Sequence, residues 1–415
     1  MNIKSKCIYF LFLSLLVLSY NLCTNNSQIP NDEFFKYQIS FFNDGSKVTV
    51  PRVSYKKSPI ELNPVEGIHL NILPAWEITT GSADTIVAVM DDGFFYSHED
   101  IKQNLWKNAG ETGLDSDGNL KETNGLDDDQ NGYVDDVMGY DFYFNDPDPD
   151  CYIFEGKLDS VIAPYWHSIP ALGIIGARGN NEIGVAGINW EVSMMLLKMM
   201  AQGSVSIKDP CSRVPKAAEA IRYAVDNSAR VINWSGFVSC LDQEKLKPLQ
   251  DAIDYAEEKG VLIVTGAGNN KENIDLEENY TFPSCFQNEN LLVVAEIDFD
   301  GYLYEVERDS KYVGGSNFGV QNVDIAALSQ NFTTGLRHNH SVYRLSGGTS
   351  NSAPVVSGVA ALIFSIRPDL DGLEVKEILM RSATRLQGLQ GKVKSGGMVN
   401  AFDALKLAQS YPQNQ

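Results

Sequence analysis

A serine becomes chemically useful when a tight turn delivers it to the first turn of a helix, and Gly347-Gly348-Thr349-Ser350-Asn351-Ser352-Ala353-Pro354 has that form. The paired glycines free the backbone, and Pro354 sits where a missing N–H costs little. Val355, Val359, Leu362, Ile363 and Ile366 then recur at helical spacing until Arg367-Pro368 ends the run. Ser350 is a candidate nucleophile; capping of that helix by Thr349 or Ser350 is the plainer alternative. A serine hydroxyl attacks poorly unless a base takes its proton, and the base works better when a carboxylate fixes its tautomer. Asp91 closes the apolar run Thr85-Ile86-Val87-Ala88-Val89-Met90. It stands at the strand end where an open parallel sheet presents functional side chains, although such carboxylates also serve turns. Of five histidines, His167 opens an apolar helix, whereas His69, His98, His338 and His340 fall in loops with no helix following and read as surface or structural residues.

A second chemistry is written in Asp127-Asp128-Asp129-Gln130-Asn131-Gly132-Tyr133-Val134-Asp135-Asp136. Asp127, Asp129 and Asn131 alternate, a glycine marks the bend, and Asp135 follows, as in the first half of a calcium loop. Met138 stands where an EF-hand would close with glutamate, so this is not an EF-hand. The alternative is a solvated acidic turn, in which the crowded carboxylates would repel one another without a cation.

The elements that must position these groups alternate along the chain. Near-continuous apolar strands are expected at 85–90, 192–200, 230–234, 261–265, 291–295 and 323–327. Amphipathic helices are expected at 215–226 and 247–259, and two closing helices at 373–382 and 401–408. This predicts an α/β fold with three layers, α/β/α, around a mostly parallel central sheet.

With 415 residues and 43% hydrophobic side chains the chain can bury a large core. Its formal charge of -21 repels nucleic acid and anionic membrane and suits a divalent cation. Lys4 and Lys6 precede a short apolar run from Ile8 to Leu18, which reads as an export signal over 1–23 rather than a membrane span. A secreted or cell-envelope protein with no stable membrane span in the mature chain is expected, and Cys23 leaves a lipid anchor open. In an oxidising compartment Cys211 and Cys240, which bracket one helix-strand unit, are the favoured pair, against buried free thiols as the alternative.

The passage from Gly348 to Pro354 resembles the nucleophile motif of the subtilisin-like serine peptidases (subtilases, peptidase S8). Val87-Ala88-Val89-Met90-Asp91-Asp92-Gly93 is similar to that family's aspartate motif, with the second aspartate of its convertase branch. His167-Ser168-Ile169-Pro170-Ala171-Leu172-Gly173, followed by Asn180-Asn181-Glu182-Ile183-Gly184-Val185-Ala186-Gly187, is similar to its histidine motif. Gly266-Ala267-Gly268-Asn269, otherwise a bare Gly-Asn turn, matches its oxyanion turn. The resemblance implies that Ser350 is the nucleophile, His167 the base, Asp91 the orienting carboxylate and Asn269 an oxyanion donor. It also implies a second calcium position at Asp100 and Asn181 with the carbonyls of 180–185. The domains expected are the signal at 1–23, an N-terminal arm or leader at 24–62 and a subtilisin-like peptidase domain at 63–410, monomeric and acting on polypeptide substrates. Ser168 and Ile169 stand where the family has glycine and threonine, and Trp166 and Phe237 are also unusual. These departures suggest the alternative, a catalytically silent binding or scaffold member.

Overall fold

Val87 and Val89 enter one apolar layer and Ala88 and Met90 another, all four fully buried, so helices must cover both faces of the strand they share. The computed structural model describes residues 29–51, 59–151, 167–200, 209–309, 312–337 and 340–412. The expected export signal and Trp166 lie outside them.

In chain order, β1 (Val48–Val50) and β2 (Ile60–Leu62) form a small antiparallel pair, followed by α1 (Ile72–Trp76), β3 (Gly81–Asp91), β4 (Gly139–Asp141) and α2 (Ser168–Gly176). Next come β5 (Glu191–Lys198), α3 (Val214–Asp226), β6 (Val231–Trp234), α4 (Gln243–Glu258), β7 (Leu262–Gly266) and β8 (Leu291–Ile297). The chain continues through hairpin β9 (Glu305–Asp309) and β10 (Tyr312–Gly315), then β11 (Ile325–Leu328) and a second hairpin, β12 (Asn331–Arg337) and β13 (His340–Ser346). It closes with α5 (Thr349–Ile366), α6 (Gly372–Arg381), β14 (Thr384–Arg385), β15 (Gly397–Met398) and α7 (Ala401–Ser410).

The central sheet has nine strands in the order β14-β15-β11-β8-β7-β6-β3-β5-β4, parallel except where β14 meets β15. From β3 the chain goes to β5 on one side and then crosses to β6 on the other. The strand order therefore reverses at β3, and a crevice opens beyond its carboxyl end, where Asp91 sits. Helices α3 and α4 cover one face; α2, α5, α6 and α7 cover the other. This is the expected three-layer α/β/α architecture.

Helix α5 is long and apolar enough to cross a membrane, yet 83% of it is buried inside the protein, where it packs on β3, β6, β7, β8 and β11. It is a core helix whose first turn emerges at the crevice. Helix α4 begins a turn earlier than expected, because the Asp242 carboxylate accepts from the amides of Glu244 and Lys245, and burial of Leu246 and Leu249 carries the helix through Pro248. The hairpin β12–β13 has no counterpart among the expected elements. The segment expected as an arm or leader buries Ile39, Phe41, Val50 and Leu62, and Gln38 exchanges hydrogen bonds with the backbone of Ala186. Cys211 and Cys240 are joined, while Cys151 and Cys285 are buried free thiols.

Candidate active site

Strand β3 delivers Asp91 to the sheet edge, where both carboxylate oxygens lie 2.9 Å from Nδ1 of His167. The imidazole is held on that side while its ring stays 42% exposed. His167 occupies the position before α2, and the start of that helix is fixed by the next aspartate. The amides of His167 and Ser168 each approach the Asp92 carboxylate at 3.4 Å, and the Ser168 hydroxyl donates to the carbonyl of Gly93. A carboxylate at a helix N-terminus meets unpaired amides and the positive end of the helix dipole. All nine residues of α2 are buried, Ser168 and Ile169 included, so neither crowds the open side of the histidine. A Cβ on Gly173 would come within 2.2 Å of Thr334 Oγ1, and Thr334 donates to the Ile169 carbonyl at 2.7 Å, so β12 braces the helix behind His167.

The turn before Ser350 is set by Gly348, whose φ of 98° is a left-handed value that glycine adopts without a steric cost. Asn269, at the end of the β7 turn, accepts from the Thr349 amide at 2.9 Å and from the Thr349 hydroxyl at 3.1 Å through its Oδ1. That leaves its Nδ2 with no acceptor among the described residues, while the Ser350 amide belongs to the first turn of α5, whose donors have no partner within the helix. The Ser350 carbonyl accepts from the Ser235 hydroxyl at 2.9 Å, which ties the end of β6 to α5. Phe237 beyond it is exposed.

Charge sharpens this geometry. The Asp91 carboxylate raises the His167 pKa against the opposing effect of burial, and Asp92 adds to the rise. Asp92 is itself pushed up to about 8, chiefly by burial and then by its neighbour Asp91. Behind the strand end, Lys198 and Asp141 form a buried ion pair at 2.7 Å, and Lys198 also donates to the carbonyl of Asp150 at 2.8 Å. The amides of Phe94 and Cys151 continue the brace to the Gly93 turn by pairing with Pro149 and Phe94.

The expected cation ligands separate into two arrangements. Asp127 accepts from the amides of Asn131 and Gly132, and Asp135 from the amide of Gly125, so these carboxylates shape the loop. Asp129 instead converges with Glu111 and Asp136, which offer oxygens within 4.8 Å of one another. Asn108 Nδ2 bridges Asp129 and Asp136, and Asn131 Nδ2 donates to Asp136 at 2.9 Å. Glu111 and Asp136 are fully buried, and Oε2 of Glu111 has no hydrogen-bond partner among the described residues. A set of hard oxygens with one orphaned buried acceptor fits a calcium ion. The alternating pattern of the loop carries no signal for Glu111, far upstream. At the other position Asp100 and Asn181 do meet, but Asn181 Nδ2 and the amide of Val185 donate to the two Asp100 oxygens at 3.0 and 2.9 Å. Both Asp100 oxygens thus have donors, and the orphaned acceptor that Glu111 supplies to the other set has no equivalent among the residues of this arrangement.

The subtilase family matches residues 82–399, and the chain belongs to that family of serine peptidases, peptidase S8. Subtilisin-like protease 1 of Plasmodium berghei is 29% identical over 80% of this chain and 51% of its own length. An extracellular protease of Xanthomonas campestris is 28% identical over 82% of this chain and 54% of its own. The chain thus spans about half the length of these curated relatives. A solved protease structure from Pseudoalteromonas arctica superposes with a TM-score of 0.61 at 24% identity, over 91% of this chain and 99% of that one, a likeness of fold.

Proposed function

We propose that this chain is an exported serine endopeptidase that cleaves polypeptides through an acyl-enzyme. In this reading Asp91 accepts the Nδ1 proton of His167 in a hydrogen bond and leaves Nε2 unprotonated to take the proton of Ser350. The Ser350 oxygen attacks the peptide carbonyl, and the developing oxyanion meets Asn269 Nδ2 and the Ser350 amide. His167 then returns the proton to the leaving amine, and water repeats the cycle to free the acyl group. The observation that carries the reading is the pair of 2.9 Å contacts from Asp91 to His167, at the crevice where α5 begins. Burial of Ser168 and Ile169 within α2 supports catalysis over a silent binding member. Export is supported by the basic and apolar start of the chain and by the extracellular relative. A calcium ion held by Glu111, Asp129 and Asp136 would cancel the mutual repulsion of these carboxylates and pin their loop.

The test is reaction with a fluorophosphonate alongside casein hydrolysis. Wild type is expected to label at one serine and to digest casein, and Ser350→Ala to lose both. A Ser350→Ala protein that still digests casein, or a wild type that binds peptides without labelling, would overturn the reading.

A further inference from the structure

A glutamate lies under the nucleophile turn, in a strand that should hold only apolar residues. Leu292 and Val294 of β8 pack into the face covered by α5, and Glu296 is next on that face. It is in register with Ala327 of β11, whose carbonyl accepts from the Ser352 hydroxyl of α5 at 3.0 Å. Glu296 is 2% exposed and no cation pairs with it among the described residues. Burial pushes its carboxyl up to about 7, against the lowering influence of hydrogen bonds from Ser329 and Gly348. Such a group weakens a core unless its bonds serve something. Its Oε1 accepts from the Gly348 amide at 3.1 Å and from the Ser329 hydroxyl, and its own amide donates to Ser316 Oγ at 2.8 Å.

The peptide so held is the one most in need of an anchor. Gly347 and Gly348 lack Cβ atoms, and nothing in their own conformational preference fixes the plane between them. Each neighbouring group is already assigned: Asn351 Nδ2 holds the Gly347 carbonyl at 2.7 Å, and Asn269 holds the Thr349 amide. The Gly348 amide is held by Glu296.

We infer that Glu296 is a positioning residue for Ser350: by accepting from the Gly348 amide it fixes the Gly347–Gly348 peptide and, through it, the direction of the Ser350 side chain and amide. This rests on Ser350 being the nucleophile. The Ser329 hydroxyl selects the Oε1 orientation that the turn requires. A side chain with the same acceptor satisfies the requirement, whereas an apolar one of similar volume fills the space and leaves the amide unpaired.

Glu296→Gln and Glu296→Met separate these roles, with Glu296→Leu as a second apolar variant should Met fail to fold. Rates are taken per fluorophosphonate-titrated site, so that poor folding lowers the amount and not the rate. Glu296→Gln is expected to keep kcat within about threefold of wild type. The apolar variant should lose about tenfold to a hundredfold in kcat and in labelling rate with KM within about twofold. An apolar variant with wild-type kcat overturns the inference, as does a Gln variant that loses as much as the apolar one. Unchanged hydrolysis by Ser350→Ala marks a different failure, that of the nucleophile assignment, and the inference falls with it.

Discussion

Asp91 and Asp92 are adjacent in sequence and opposite in task. The first contacts the imidazole directly; the second caps the helix that carries it, and both raise the His167 pKa above its ordinary 6.5. As the proposed general base, His167 must be neutral to accept a proton, so the acid limb of the kcat/KM profile should have its midpoint above 6.5. Solvent reaching the ring trims the shift without changing its sign. His167 is pushed up to about 9, where Asp92, at about 8, is ionised, so Asp92→Asn removes one raising charge and should move that midpoint down while leaving the Asp91 contact in place, which a pH series on a peptide substrate measures. Asp91→Asn should instead cost about 10⁴-fold in kcat, because the amide favours the wrong imidazole tautomer. Stability follows the same sign. The contribution of the raised His167 is full below 6.5 and is lost as pH rises through the folded-state value, so denaturation midpoints should show this part of the stability declining on the alkaline side.

At the scale of elements, the site is only as firm as the strand ends that bear it. Lys198, 2% exposed, joins Asp141 of β4 and the carbonyl of Asp150, and that loop in turn supports the Gly93 turn after Asp92. Replacing one member of such a pair leaves the other charge buried without its counter-ion, Asp141 then keeping only the amides of Tyr143 and Phe144 among the described residues. Lys198→Met should therefore lower stability by about 3–5 kcal/mol in a urea titration, and Lys198→Met with Asp141→Leu should recover much of that loss. The elements that mattered for the site were largely readable beforehand. Strands buried on both faces announce themselves as apolar runs, and the helices beginning at Ser168 and Thr349 are marked by a His or Gly-Gly-Thr-Ser boundary before an apolar stretch. The hairpin β12–β13 was not readable, because Asn331-Phe332-Thr333-Thr334-Gly335-Leu336-Arg337 is mixed in polarity and becomes a strand by pairing with 340–346 against α2. Glu296 and Glu111 were silent for a related reason. Their meaning depends on partners at Gly348 and at Asp129 and Asp136, which no local spacing reveals.

For the molecule as a whole, the net charge of -21 has to be tolerated by a fold that brings the carboxylates of Glu111, Asp129 and Asp136 together, two of them buried. Asp136 also accepts from the Tyr223 hydroxyl of α3, so the loop carrying Glu111, Asp129 and Asp136 is anchored to a layer of the core. A cation bound only by the folded arrangement raises stability by about 2.7 kcal/mol at a hundredfold excess over its Kd, which for a domain of this size is about 3 °C in Tm. Chelation should lower Tm by that order, and added calcium should restore it. Sodium chloride at equal ionic strength is the necessary control, since it relieves only the diffuse self-repulsion of an acidic protein. Glu111→Gln removes a charged ligand while keeping the acceptor for the amides of Asp128 and Asp129, so it should have a chelator-insensitive Tm close to that of chelated wild type. Equal rescue of wild type by sodium and calcium would reduce this corner to a hydrogen-bonded acidic loop.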